Sequence, residues 1–185
     1  MRRTAIALAL LIAPLLALSG CTPTPPPAVT SPKPSSTPLF ATEDEALKAA
    51  TDAYAAYLKV SDQILAEGGT DPERLATVAV GEQLRADAAG FADAAAGGLR
   101  GAGSTTFDHV RVQQYQLEAP GAAIVYLCED VSQVDVLNSQ GASVVTASRP
   151  QRQAYEVTFD RASRVSNQLL VALKVARGSG SCNSE

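Results

Sequence analysis

Three hydrophobic patterns follow one another along the chain. Ala5 to Leu18 is a continuous apolar run with Pro14 inside it. A segment almost wholly of Pro, Ser and Thr separates it from a second pattern, in which Leu47, Ala50, Tyr54, Tyr57, Leu58, Ser61 and Leu65 recur at helical spacing. That spacing predicts a long amphipathic helix reaching about Ala66. Thr42-Glu43-Asp44-Glu45 is a capping box at its start, acidic where the helix dipole favours negative charge, and Gly68-Gly69 ends it. Asp71-Pro72 then predicts a second helix, with an N-cap residue before a proline at the first helical position. A third, alanine-rich helix is expected from Gly81 to Ala96, with Leu84 and Phe91 on its buried side.

Past the glycine-rich stretch Gly97 to Gly103, read as a plain connection, the period changes to two. Val110 and Val112 alternate with polar residues, and Ala122 to Cys128 is continuously apolar, as in a strand covered on both faces. Tyr155, Val157 and Phe159 alternate, and so do Leu169, Val171, Leu173 and Val175, which places Lys174 on the opposite face. Asn138 to Gly141 and Asp160 to Asn167 are the expected turns. Helices followed by an antiparallel meander make an α+β fold, with the N-terminal helices packed on one face of a curved sheet.

The first apolar run is a targeting segment. Arg2 and Arg3 precede it, and Leu18-Ser19-Gly20-Cys21 closes it in the lipobox pattern. A membrane-spanning helix needs about 20 apolar residues, more than this run supplies. Residues 1–20 are therefore expected to be a lipoprotein signal peptide. Cys21 is the expected lipidation site, because its thiol forms the thioether to a diacylglycerol. Residues 21–38 read as the lipidated cysteine and a disordered linker, whose prolines favour extended polyproline II at about 3.1 Å per residue. Residues 39–185 form a single domain.

Composition narrows the function classes. Without Arg2 and Arg3 the fifteen Lys and Arg fall to thirteen, against nineteen Asp and Glu. An acidic chain with no basic stripe argues against nucleic acid as a partner and against an electrostatic hold on anionic lipids. Its abundance of alanine, and of arginine over lysine, suggests a GC-rich host. With Cys21 committed to lipid, Cys128 and Cys182 remain as an even pair in a compartment where disulfides persist. Bridging them is expected to pin the Gly-Ser-rich C-terminal tail.

The order of long helix, short helix, helix and meander resembles the cone-shaped fold of the nuclear-transport-factor-like superfamily, which includes ketosteroid isomerases and scytalone dehydratase. The chain is similar in particular to small actinobacterial lipoproteins that carry such a domain. The residues behind the likeness are Ala53 to Leu58, Asp71 to Leu75, Thr105 to Asp108, Tyr126 to Ser132 and the closing Gly180-Ser181-Cys182. The resemblance implies a pocket between the curved sheet and the first helix, and no particular activity.

Candidate chemistry is sparse. His109 is the only histidine, and strand alternation sets it on the face opposite Asp108, with Phe107 and Arg111. That separation rules the pair out as a dyad and leaves a solvent-facing or hydrogen-bonded histidine. Glu129, Asp130 and Asp135 form an acidic group that lacks the spacing of a calcium loop and reads as a solvated sheet edge. No Gly-x-Ser-x-Gly elbow and no metal-ligand spacing occur. No cofactor and no catalytic residue are therefore assigned. Tyr54, Tyr57, Phe107, Tyr126 and Phe159 are where a pocket is expected. The reading that results is a membrane-anchored, exported lipoprotein on the outer face of the cytoplasmic membrane. Its domain binds a small apolar ligand or docks an envelope protein, the alternative being an isomerase- or dehydratase-like enzyme.

Overall fold

The structure, a computed structural model, describes residues 39–115, 121–163, 166–178 and 182. The signal peptide, Cys21 and the linker lie outside the described residues. The elements are α1 (Glu43–Ala66), a 3-10 helix (Pro72–Thr77), α2 (Gly81–Ala96) and six strands. These strands are β1 (Arg100–Ala102), β2 (Thr106–Gln114), β3 (Ala123–Asp130), β4 (Asp135–Leu137), β5 (Arg152–Arg161) and β6 (Leu169–Ala176). Four of them form an antiparallel sheet in the order β2-β3-β5-β6, and β1 pairs with β4 in a separate two-stranded ribbon. The fold is α+β, with helices packed against antiparallel sheet.

The helix boundaries follow local chemistry. Thr42 Oγ1 accepts from the Glu45 amide at 3.2 Å, while the Glu45 carboxylate accepts from the Ala41 amide at 2.9 Å. Two backbone donors at the start of α1 are thereby satisfied. At the other end the Gly69 amide donates to the Ile64 carbonyl at 2.8 Å. Gly69 has φ +76°, and a Cβ there would sit 2.1 Å from the Phe91 carbonyl oxygen of α2. Only glycine lets the chain leave α1 so close to α2. Asp71 differs from expectation: it lies in the left-handed region at φ 51° and makes no side-chain cap, and the helix it precedes is 3-10. The glycine-rich connection also holds more than a turn, since Arg100–Ala102 pairs with β4.

α1 lays Ala46, Ala50, Tyr54, Tyr57, Leu58 and Ile64 on the sheet. They meet Val125, Leu127, Val157, Phe159 and Val171, all essentially without solvent exposure. Full burial of each large apolar side chain contributes roughly 1.5–3 kcal/mol. α2 covers less. Leu84 and Phe91 are half-buried against the core, and Gln83 and Ala94 are its buried residues.

Two strands break the simple alternation. In β2, Asp108 pairs with Cys128 and Arg111 with Tyr126, so three steps on β2 match two on β3. His109 sits in this bulge at φ 53°. In β6, Leu173 pairs with Thr158 and Val171 with Phe159, which leaves Ala172 without a partner. One extra residue reverses the facing of everything beyond it. Lys174 pairs with Val157 and so turns toward the helices, while Leu173 turns away. This corrects the plain alternation expected for Leu169 to Val175. The free edge of β6 is closed by residues 78–80, through Val171 N to Val78 O and Val80 N to Val171 O, both 2.9 Å.

Cys128 and Cys182 form a disulfide. Cys128 is on the sheet face away from the helices, buried with Ala154 and Cys182 in a small satellite cluster. Arg152 Nε donates to the Cys182 carbonyl at 3.2 Å. With a sequence separation of 54 between the cysteines, the chain-entropy account gives about 4 kcal/mol. Reduction, or Cys182→Ser, is expected to lower the unfolding free energy by an amount of that order, read as a fall in urea midpoint that reductant no longer changes in the variant. A midpoint indifferent to reductant in the parent chain would contradict it.

Candidate functional site

The space between α1 and the sheet is organised by a charge. In β3 the parity that sends Val125 and Leu127 inward also sends Glu129 inward, 5% exposed. The acidic edge expected at 129–135 is therefore not a solvated one. Glu129 lies inside the fold, Asp130 is paired with Arg152 at 3.0 Å, and Asp135 accepts from Ser143 Oγ at 2.6 Å. Tyr54 donates to Glu129 Oε1 at 2.5 Å, and Lys174 Nζ donates to the same oxygen at 2.9 Å. The lysine ammonium lies 4.4 Å from the ring centroid of Tyr155 and 5.8 Å from that of Tyr57, within cation–π range.

The network continues toward α2. Tyr57 donates to Asp87 Oδ2 at 2.7 Å, while Gln83 Nε2 donates to Tyr57 Oη at 3.2 Å and to Asp87 Oδ1 at 2.8 Å. Burial, and then the charge of Glu129, push the Tyr54 hydroxyl well above the ordinary tyrosine range. Burial and Asp87 do the same to Tyr57. A buried carboxylate is tolerated only if paired and hydrogen-bonded, and here one ammonium and one phenol supply both conditions.

This arrangement fills the space between α1 and the sheet, where a pocket was expected. Phe107 meets the Tyr54 ring edge-on at 5.1 Å and Phe159 does so at 6.4 Å. Open space lies elsewhere. A shallow groove of about 620 Å³ runs between α1 and the start of β2, lined by Ala55, Leu58, Asp62, Thr105 and Phe107 among others. A second cavity of about 470 Å³ opens on the other face of the sheet at His109, Arg111, Tyr126 and Arg177. The five aromatics expected around one pocket are therefore dispersed. Tyr54, Tyr57 and Phe159 are core and line neither cavity, Phe107 reaches the groove, and Tyr126, 41% exposed, belongs to the outer cavity.

His109 and Asp108 also differ from expectation. The bulge places both on the exposed side, where His109 Nδ1 lies 2.6 Å from Asp108 Oδ1, while Phe107 points inward. Arg152 holds both Asp108 oxygens, at 2.7 and 2.8 Å, and lowers its carboxyl pKa, with His109 adding to the effect. Asp108, His109 and Cys128 bring ligand atoms within 4.8 Å of one another. The sulfur is in a disulfide, however, so no thiolate is available to a metal. Among the described residues no helix is long and apolar enough to cross a membrane.

Sequence reasoning set Lys174 on the wrong face and passed over Gln83, Asp87 and Arg152. Lys174 carried a signal, being the one charge in the run Leu169 to Ala176.

No family model matches the chain, and no curated protein matches it. A solved structure that is similar is the crystal structure of the intermembrane space region of chloroplast protein ARC6. It is 14% identical with a TM-score of 0.51, covering 72% of this chain and 97% of that one. At that identity the likeness is one of fold.

Glu129→Gln removes the counter-charge of Lys174 and is expected to cost about 3 kcal/mol of stability, measured by urea unfolding. Glu129→Gln combined with Lys174→Met is expected to recover most of that loss, and a fully additive double variant would contradict the pairing. A tyrosine whose folded pKa is raised adds stability that is fully present below the unfolded value near ~10 and is lost as pH climbs above it. The urea midpoint is accordingly expected to fall steeply above about pH 10, and Tyr54→Phe to flatten that fall.

Proposed function

We propose that this chain is an exported bacterial lipoprotein, of an actinobacterial type, held on the outer face of the cytoplasmic membrane by a diacylglycerol and palmitate at Cys21. Its α+β domain, in this reading a cone of the nuclear-transport-factor-like kind, is a non-catalytic binding or docking module of the cell envelope. The observation that carries the proposal is the lipobox Leu18 to Cys21, standing between a short apolar run and a proline-rich spacer. The Cys128–Cys182 disulfide supports an oxidising compartment. One acyl chain binds a membrane only marginally, whereas a two-chain anchor holds for long periods at about 0.8 kcal/mol per buried methylene.

A second reading, an isomerase- or dehydratase-like enzyme, has the buried Glu129 carboxylate in its favour. Tyr54 and Lys174 already occupy the same Glu129 oxygen, and Glu129 lines neither of the two cavities, which favours the binding module. The enzyme reading requires isomerisation of a β,γ-unsaturated ketone that Glu129→Gln abolishes.

In its host, Cys21→Ser is expected to yield an uncleaved precursor or a freely released protein, with no mature-length form in the detergent phase on partitioning. Mature-length Cys21→Ser protein remaining with the membrane would refute the anchor.

A further inference from the structure

The cavity on the outer sheet face has the chemistry of a ligand site. Its walls come from His109 and Arg111 of β2, Tyr126 of β3, Ala154 and Tyr155 of β5, and Arg177 just after β6. The β2 bulge creates it. An unbulged strand would turn Arg111 inward, whereas the bulged one sets Arg111 beside Tyr126.

The charge around this cavity is uneven. Glu156 is taken up by Arg177 at 2.9 Å and by the hydroxyl of Tyr126. Asp108 is taken up by Arg152 and His109. The Arg111 guanidinium, by contrast, has no partner among the described residues. A cationic fork left unpaired among the described residues, beside an exposed tyrosine ring, presents one uncompensated guanidinium and one apolar surface. A guanidinium matches a carboxylate with two parallel hydrogen bonds. One free guanidinium takes one carboxylate, and a cavity of about 470 Å³ has the volume of a small-molecule site.

From these observations we infer that this outer cavity binds a small organic carboxylate with a flat apolar body, the carboxylate on Arg111 and the body against Tyr126. The inference rests on the binding-module reading and is independent of the lipid anchor.

The test is calorimetric titration of the full chain, in a mild nonionic detergent, with 2-naphthoate and with neutral 2-naphthamide. Saturable 2-naphthoate binding is expected. Arg111→Gln should weaken it about tenfold or more, Tyr126→Ala should weaken it several-fold, and Arg85→Gln on the exposed face of α2 should leave it unchanged. The amide should bind the parent chain no better than the acid binds Arg111→Gln. Arg111 and Tyr126 are both exposed, and urea midpoints establish that the variants are folded; if one is not, the other decides. No saturation by about 1 mM, equal affinity for acid and amide, or indifference to both substitutions overturns the proposal. Native mass spectrometry of the chain from its own host separates the two failures. A bound small molecule that 2-naphthoate does not displace keeps the binding module and overturns this site, whereas a bare chain that also ignores 2-naphthoate overturns both.

Discussion

One oxygen atom, Oε1 of Glu129, holds the interior of this domain together. It receives Tyr54 from the long helix and Lys174 from the last strand, and its own strand lies second in the sheet. Three elements far apart in sequence thus meet at a single acceptor. A carboxylate in that position is costly without its partners, and the partners are mispositioned without it. The packing of Phe107 and Phe159 on Tyr54, and of Tyr57 and Tyr155 around Lys174, is arranged about this centre.

The β2 bulge at His109 and the β6 bulge at Ala172 have complementary effects. That in β6 brings a cation inside, where a buried anion requires it. That in β2 turns a cation outside, where nothing described pairs with it. His109 takes a left-handed backbone conformation there, a strained state for a residue with a side chain. The surrounding ladder holds it, with Asp108 and Arg111 fixed against Cys128 and Tyr126. The space between Tyr54 and the centre of the sheet is filled by the domain's own side chains, so open space is left to the groove beside α1 and to the cavity on the outer sheet face.

Much of the architecture was legible in the sequence. The ends of α1 and α2, the antiparallel sheet after the helices and the pairing of Cys128 with Cys182 follow from caps, periodicity and cysteine count. What escaped were features that depend on register. Lys174 was assigned outward because Leu169, Val171, Leu173 and Val175 alternate without interruption, and Glu129 was taken for solvent because acids cluster around it. Neither residue reveals itself alone; a buried ion pair becomes visible only when both strands are phased together. Asp108 and His109 were separated by the same rule of alternation, which an αL residue in a bulge suspends.

The extra residue in β6 gives that strand two possible phases. Threaded regularly, it would present Leu169, Val171, Leu173 and Val175 to the core, a wholly apolar face and a sound one by hydrophobic pattern alone. Threaded with Ala172 unpaired, it presents Leu169 and Val171 and then Lys174. The sequence of β6 therefore encodes two compatible faces, and the choice between them is made on another strand, by the carboxylate of Glu129. An acid buried in this way acts less as a brace than as a selector of register.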